Sequence, residues 1–382
     1  MIYRVFFAVL FLIAISCKEV NFNNDFSLEE FRVKDEDVFL YDFSKELELI
    51  PLLYSGQESL VGIVDKLEVK DGRFFILSST PSSQKSLLIF GQKGEFVGRI
   101  DKDSFGDLHG NSLKDFLVLE DSRILIWDNN NTILIINEDF RLIGSRQMPF
   151  RIDRVSYNKG QILCYLNKQA LNFQDEEYFY DLVILDEKLN VLNRFLPFEL
   201  NQGETRYHVK LSPNIHPFKN GFLFTEFLND TVYYVDSNET RIHRIIDFGE
   251  KRFIKSNFPN AVVQPLSPIL TEKFKWGIYN PLENDEFFFI GYYENDVPKN
   301  LIYEKRKNKL YKLNPIKSIN EENIVPAPIQ YSDEYFYGVL TEAGISFVDK
   351  EKIKSYSDKS IVKRADDYII NNGNPIIFKY KL

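Results

Sequence analysis

Lys70-Asp71-Gly72-Arg73-Phe74-Phe75-Ile76-Leu77-Ser78 joins a tight polar turn to a run of strand-forming residues. Asp-Gly at such a junction signals a hairpin, because both turn residues tolerate positive φ. The unit recurs along the chain. Its other copies are Glu120-Asp121-Ser122-Arg123 before ILIWD, Asn158-Lys159-Gly160-Gln161 before ILCYL, and Lys219-Asn220-Gly221 before FLFTEF. The last two are Glu283-Asn284-Asp285-Glu286 before FFFIGYY and Ser332-Asp333-Glu334 before YFYGVL. In the first five copies a second hairpin follows, turning at residues 92–94, 137–139, 186–188, 236–238 and 305–308.

Each repeat therefore reads as four antiparallel strands. One such sheet cannot cover both of its faces. Several packed radially cover one another and enclose a channel. No helical periodicity alternates with the strands, which excludes a doubly wound α/β fold. The expected fold is all-β, a six-bladed β-propeller over residues 45–382, with insertions at about 250–280 and 349–372. The sixth copy lacks a second hairpin nearby. Strand-like stretches at residues 47–52 and 375–380 supply the missing pair, so the ring is expected to close by joining amino- and carboxy-terminal strands in one blade.

Composition agrees with a large folded β domain. The chain has 382 residues, 44% hydrophobic and 27% charged, with 34 Phe and 21 Tyr. Aromatic side chains suit half-buried pleated surfaces. The formal net charge of −9 argues against a nucleic-acid partner, which requires basic clusters to neutralise phosphates. Two cysteines exclude a disulfide scaffold.

Several segments resemble the six-bladed β-propeller lipoproteins of bacterial envelopes. They are Leu49-Ile50-Pro51-Leu52, Lys93-Gly94-Glu95-Phe96-Val97, Asn229-Asp230-Thr231-Val232-Tyr233, Ile246-Asp247-Phe248-Gly249 and Gly373-Asn374-Pro375-Ile376. The resemblance implies a surface or envelope propeller without a settled biochemical activity. Residues 105–111 (FGDLHGN) depart from the Gly-Pro-Gly-Glu-Tyr-like segment of that family.

The amino terminus reads as an export signal. Arg4 precedes an unbroken apolar run at residues 5–15, VFFAVLFLIAI. Eleven residues are too few to span a bilayer and suit a signal-peptide core. Ala14-Ile15-Ser16-Cys17 resembles a lipobox, with Cys17 as the lipid attachment site. The expected organisation is a signal peptide at 1–16, a lipidated polar tether at 17–44 and the propeller beyond. A lipid at Cys17 anchors the protein to a membrane without spanning it. Lys18-Glu19 lacks the Asp of an inner-membrane retention signal, so an outer-membrane location is expected, and Lys with an acid after the Cys resembles a surface-export tag, which leaves a periplasmic or an outward orientation open.

Residues 203–218 (GETRYHVKLSPNIHPF) gather Arg206, Tyr207, His208 and His216, two of only four histidines. Arg and Tyr are frequent anchors in binding sites, which makes these four the candidate ligand residues. No catalytic or cofactor motif emerges: there is no phosphate loop and no Gly-x-Ser-x-Gly elbow. No metal set emerges either. The stretch from Asp101 mimics a calcium loop, but Phe105 offers no side-chain oxygen at the fifth position and Ser112 stands where a bidentate Glu is expected. Cys164, inside ILCYL, reads as a small buried hydrophobe. The expected role is a non-enzymatic binding module for a glycan, peptide or partner protein. The alternatives are a hydrolase or lyase with a central-channel site, and a scaffold subunit of an envelope complex.

Overall fold

The computed structural model describes residues 30–32, 37–80, 84–101, 103–104, 112–167, 180–198, 214–226, 229–251, 274–295, 297–314, 325–346, 353, 356 and 358–382. These residues form six sheets. The four strands of blade one, from the inside outward, are Ile63–Lys70, Arg73–Ser79, Lys85–Phe90 and Phe96–Ile100. Blades two to five repeat this order from innermost strands Leu113–Val118, Arg154–Asn158, Ile215–Phe218 and Lys275–Glu283. The stretch expected as an insertion to residue 280 thus ends in the innermost strand of blade five, because the turn at 284–286 needs a strand before it. Residues 252–273 of that stretch lie outside the described residues.

Blade six closes the ring. Its inner strands are Pro328–Ser332 and Tyr335–Leu340, its third is Ile376–Lys381, and its outermost is Glu46–Pro51, from near the start of the chain. The last two pair antiparallel, Phe378 opposite Leu49. The innermost strands of adjacent blades contact each other in an unbroken circle, blade six touching blade one.

Two features of the fold lie outside that ring. Residues Glu30–Arg32 and Asp37–Phe39, within the segment expected as a tether, add parallel to the outer edges of blades four and five. The helix Ile361–Asn372 joins the second and third strands of blade six. Ser360 caps its start and Gly373, at φ 73°, its end. Val362, Ala365 and Ile369 form its buried stripe.

The hydrophobic core is divided into six seams, one between each pair of neighbouring blades. Along Phe74-Phe75-Ile76-Leu77, side chains alternate between opposite faces. Phe74 and Ile76 enter the seam with blade six, and Phe75 and Leu77 the seam with blade two. Likewise Ile124 and Ile126 face blade one, while Leu125 and Trp127 face blade three. A sheet buried on both faces needs apolar residues at every position, so the second strand of each blade is a continuous apolar run. Cys164 fits this scheme: it is fully buried, unpaired and inside the seam of blades two and three, and burial pushes its thiol far above the ordinary range.

The hairpin turns behave as their sequences require. Asp71 and Gly72 have φ of 50° and 71°, and Lys159 and Gly160 of 47° and 79°. Positive φ at both positions is the primed turn whose twist matches the strands. These turns all lie at one end of the channel. The long connections, at 101–112, 166–179, 198–214, 248–274, 315–327 and 341–375, all leave from the opposite end, because the strands alternate in direction.

Candidate functional site

Each innermost strand places a polar residue three to five positions before its turn: Lys66, Asp115, Ser156, His216, Asn280 and Gln330. Their strands are the inner wall of the ring, so these side chains meet around the axis. Four of them, Lys66, Ser156, His216 and Gln330, line a cavity of about 250 Å³ that opens on the tight-turn face. Tyr157 and Tyr331 also line it.

Lys66 is the charged centre. Its Nζ lies 2.9 Å from Glu68 Oε1 and 3.2 Å from Asp115 Oδ1. It also donates to the carbonyls of Phe116, at 2.5 Å, and Val155, at 2.9 Å. Burial by itself disfavours the ammonium, but Asp115 and Glu68 reverse this and hold the Lys66 pKa above its usual value. Glu68 is pushed up by burial, against the pull of Lys66. The two directions differ because Lys66 has two carboxylates while Glu68 shares one ammonium. Asp115 is anchored by backbone: Oδ1 accepts from Phe116 N–H and Oδ2 from Val155 N–H, each at 2.8 Å.

His216 lies on the far side of the same space, 4% exposed. Burial, with a smaller contribution from the Lys66 charge, lowers its pKa to about 3, so the ring is neutral. Asn280 and Gln330 flank it and act weakly in the other direction. Among the described residues, buried His216 Nε2 and Asn280 Oδ1 make no hydrogen bond of good geometry, and Asn280 and Gln330 act on the imidazole as weak hydrogen-bonding neighbours. Asn280 Nδ2 donates to Pro328 O at 2.7 Å and so ties blade five to blade six.

Similar polar ties join most neighbouring blades. Val118 N–H donates to Glu68 Oε2 between blades one and two. Asp115 joins blades two and three, and Asn158 Nδ2 donates to Gly221 O between blades three and four. Ser332 Oγ donates to Val69 O between blades six and one. Between blades four and five the tie is ionic. Glu283 sits among His243 (2.6 Å), Arg244 (2.7 Å) and Lys305 (2.7 Å). Burial alone would raise the Glu283 pKa, but His243 and Arg244 bring it to about 2.

Of the residues expected to bind ligand, His216 stands in the innermost strand of blade four and lines the cavity. Arg206, Tyr207 and His208 lie outside the described residues, as does Cys17. The connection that carries the first three leaves blade three at the end opposite the cavity mouth. Lys66, Ser156 and Gln330 escaped the sequence reading. Their signal, a polar residue at a recurring distance before the first turn, is masked by other polar residues in the same strands, such as Asp65, Glu68, Arg154 and Ser332. Among the described residues, no group of three His, Cys, Asp or Glu side chains is placed to hold a metal ion, and no helix is long and apolar enough to cross a membrane. At residue 101 the Asp side chain accepts from Asp103 N–H and Ser104 Oγ, ordinary turn chemistry.

The family-like segments prove to be structural. Gly94, at φ 83°, leaves no room for a Cβ, which would lie 2.0 Å from Pro51 O. Asn374 is fully buried and holds Val61 N–H and Ser59 O with its two side-chain atoms. Asn229 Oδ1 accepts from Thr231 N–H and Nδ2 donates to Tyr233 OH.

Comparison with known proteins gives a fold and a family. A Bacteroides fragilis protein named as exported has 18% identity and a TM-score of 0.71, over 92% of this chain and 99% of that one. A Bacteroides caccae protein of unknown function has 12% identity and a TM-score of 0.38, over 66% of this chain and 81% of that one. No curated protein matches. Over residues 25–381 this six-bladed propeller belongs to the family described as a domain of unknown function, DUF4934.

Proposed function

We infer that this chain is an outer-membrane lipoprotein, anchored through Cys17, whose propeller is a non-enzymatic binding module for a glycan, peptide or partner protein. One observation carries this reading. A polar residue from each of the six blades converges on the axis beside an open cavity, yet the ionisable ones are engaged with one another rather than poised. Lys66, Glu68 and Asp115 satisfy each other, and His216 is neutral. Such a set can hold a ligand by hydrogen bonds. Its charged groups are tied to one another and its histidine is neutral, an arrangement that favours holding a ligand over transferring protons.

The apolar core at residues 5–15 followed by Cys17 supports export and lipidation, and the fold shared with a protein named as exported is consistent with it. Residues 18–29 separate Cys17 from the first docked strand, a reach of at most ~40 Å when extended. The propeller is therefore held near the membrane.

The test presents the mature chain, immobilised through its amino terminus, to glycan and peptide arrays, with mass spectrometry of every retained compound. Retention without conversion is the expected result, and a converted ligand overturns the non-enzymatic reading. In cells, Cys17→Ala should leave the membrane fraction; sedimentation with membranes after a high-salt wash removes the anchor.

A further inference from the structure

We propose that the axial cavity on the tight-turn face binds a single uncharged, hydroxyl-rich ring, the size of one monosaccharide unit. This rests on the binding-module reading and deepens it by naming the place and the ligand class.

The charge balance comes first. Lys66, Lys70 and Lys159 among the lining residues are matched by Glu68 and Glu120, with Asp115 directly beneath. Counting Asp115, which pairs with Lys66 behind the lining residues, positive and negative groups balance at the site. Lys66 already has four acceptors within hydrogen-bond range, so an anion gains little from it. The neutral His216 ring adds no charge.

Unused hydrogen-bonding capacity comes second. His216 is part of the cavity wall, and its buried Nε2 makes no hydrogen bond of good geometry among the described residues, with the side chains of Asn280 and Gln330 beside it as weak partners. A buried polar atom without a good partner is destabilising, and a ligand hydroxyl brought to it recovers that loss. A hydroxyl suits it in either tautomer, because it both donates and accepts. Ser156 and Gln330 add polar groups from blades three and six.

Size and shape come third. About 250 Å³ holds roughly eight waters at ~30 Å³ each, or one six-membered ring with its substituents. The site is a hole enclosed by strands of five blades, not a groove, so an extended peptide can offer it no more than one side chain. The rings of Tyr157 and Tyr331 in its wall provide flat apolar surface of the kind that packs on sugar C–H faces.

The experiment titrates glucose, galactose, mannose and N-acetylglucosamine into the full mature chain. It reads saturation transfer on the sugar and the imidazole ¹⁵N signals of the protein. At least one sugar is expected to bind saturably and to move the His216 signal. His216→Ala and Gln330→Ala, both checked for native circular dichroism, are each expected to weaken binding by roughly tenfold. Because His216 stays neutral through the ordinary histidine range, affinity should be flat across it. Sugar binding that leaves the His216 signal in place overturns the site. If no sugar binds and free amino acids move that signal instead, the ligand class is overturned while the binding module survives. If nothing moves it, the cavity is not a binding site, and the array experiment alone then decides the wider reading. The ¹⁵N signal keeps the test decisive where a variant fails to fold.

Discussion

The ammonium of Lys66 stands 3.2 Å from the carboxylate of Asp115, across the boundary between blades one and two and almost on the axis of the ring. Its carbonyl partners belong to Phe116 and Val155, in blades two and three. One side chain thus holds three innermost strands together. Lys66→Met should leave Glu68 and Asp115 buried without their counter-ion, at a cost of ~3–5 kcal/mol. Denaturant unfolding measures this, and a loss below about 1 kcal/mol would show the pair to be dispensable.

Acid should expose two groups. Glu283 has a folded pKa of about 2 against an ordinary 4.5, so its contribution is full above pH 4.5 and disappears as pH falls toward 2. His216 has a folded pKa of about 3 against 6.5. Between those values the unfolded chain takes up a proton that the folded one refuses, so stability falls with pH from 6.5 down to 3. Glu283→Gln should flatten the lower part of the acid limb and His216→Gln the upper part. Thermal melts in a pH series separate the two, and an unchanged limb in both variants contradicts the assignment.

The ring closure predicts a third effect. Asn374→Ala leaves Val61 N–H and Ser59 C=O unpaired in the interior, at ~1–3 kcal/mol for each. Hydrogen exchange should show blade six opening before the others. Uniform protection across all six blades would mean that closure depends on something else.

Gly94 provides a fourth. A Cβ there would meet Pro51 O at 2.0 Å, and the φ of 83° is unfavourable for any L side chain. Gly94→Ala should therefore cost more than Gly160→Ala, where nothing lies within 4 Å of the added atom and only the strained φ opposes it. Parallel urea titrations test the ranking, and equal midpoints refute it.

Much of the blade pattern was legible because it is local. A primed turn such as Asp71-Gly72 needs two residues that accept positive φ, and a strand buried on both faces needs apolar residues at successive positions. Both demands are written in consecutive residues. The missing second hairpin of the last repeat even told that the chain ends share a blade, since an unpaired third strand must find a partner. The strands Glu30–Arg32 and Asp37–Phe39 were not legible. Three residues are too few to leave a periodicity to read.

The site divides along the same line. Sequence alone singled out His216 for its rarity and its neighbours Arg206, Tyr207 and His208, but the cavity joins it to Ser156, Gln330 and Lys66, which lie 60, 114 and 150 positions away. Lys66, Ser156, His216 and Gln330 come from four different blades, and only closing the circle makes them neighbours. Periodicity reports what each strand does with its own two faces. Which edges turn toward a common axis depends on how six sheets pack, a property of the whole ring that no single stretch of chain encodes.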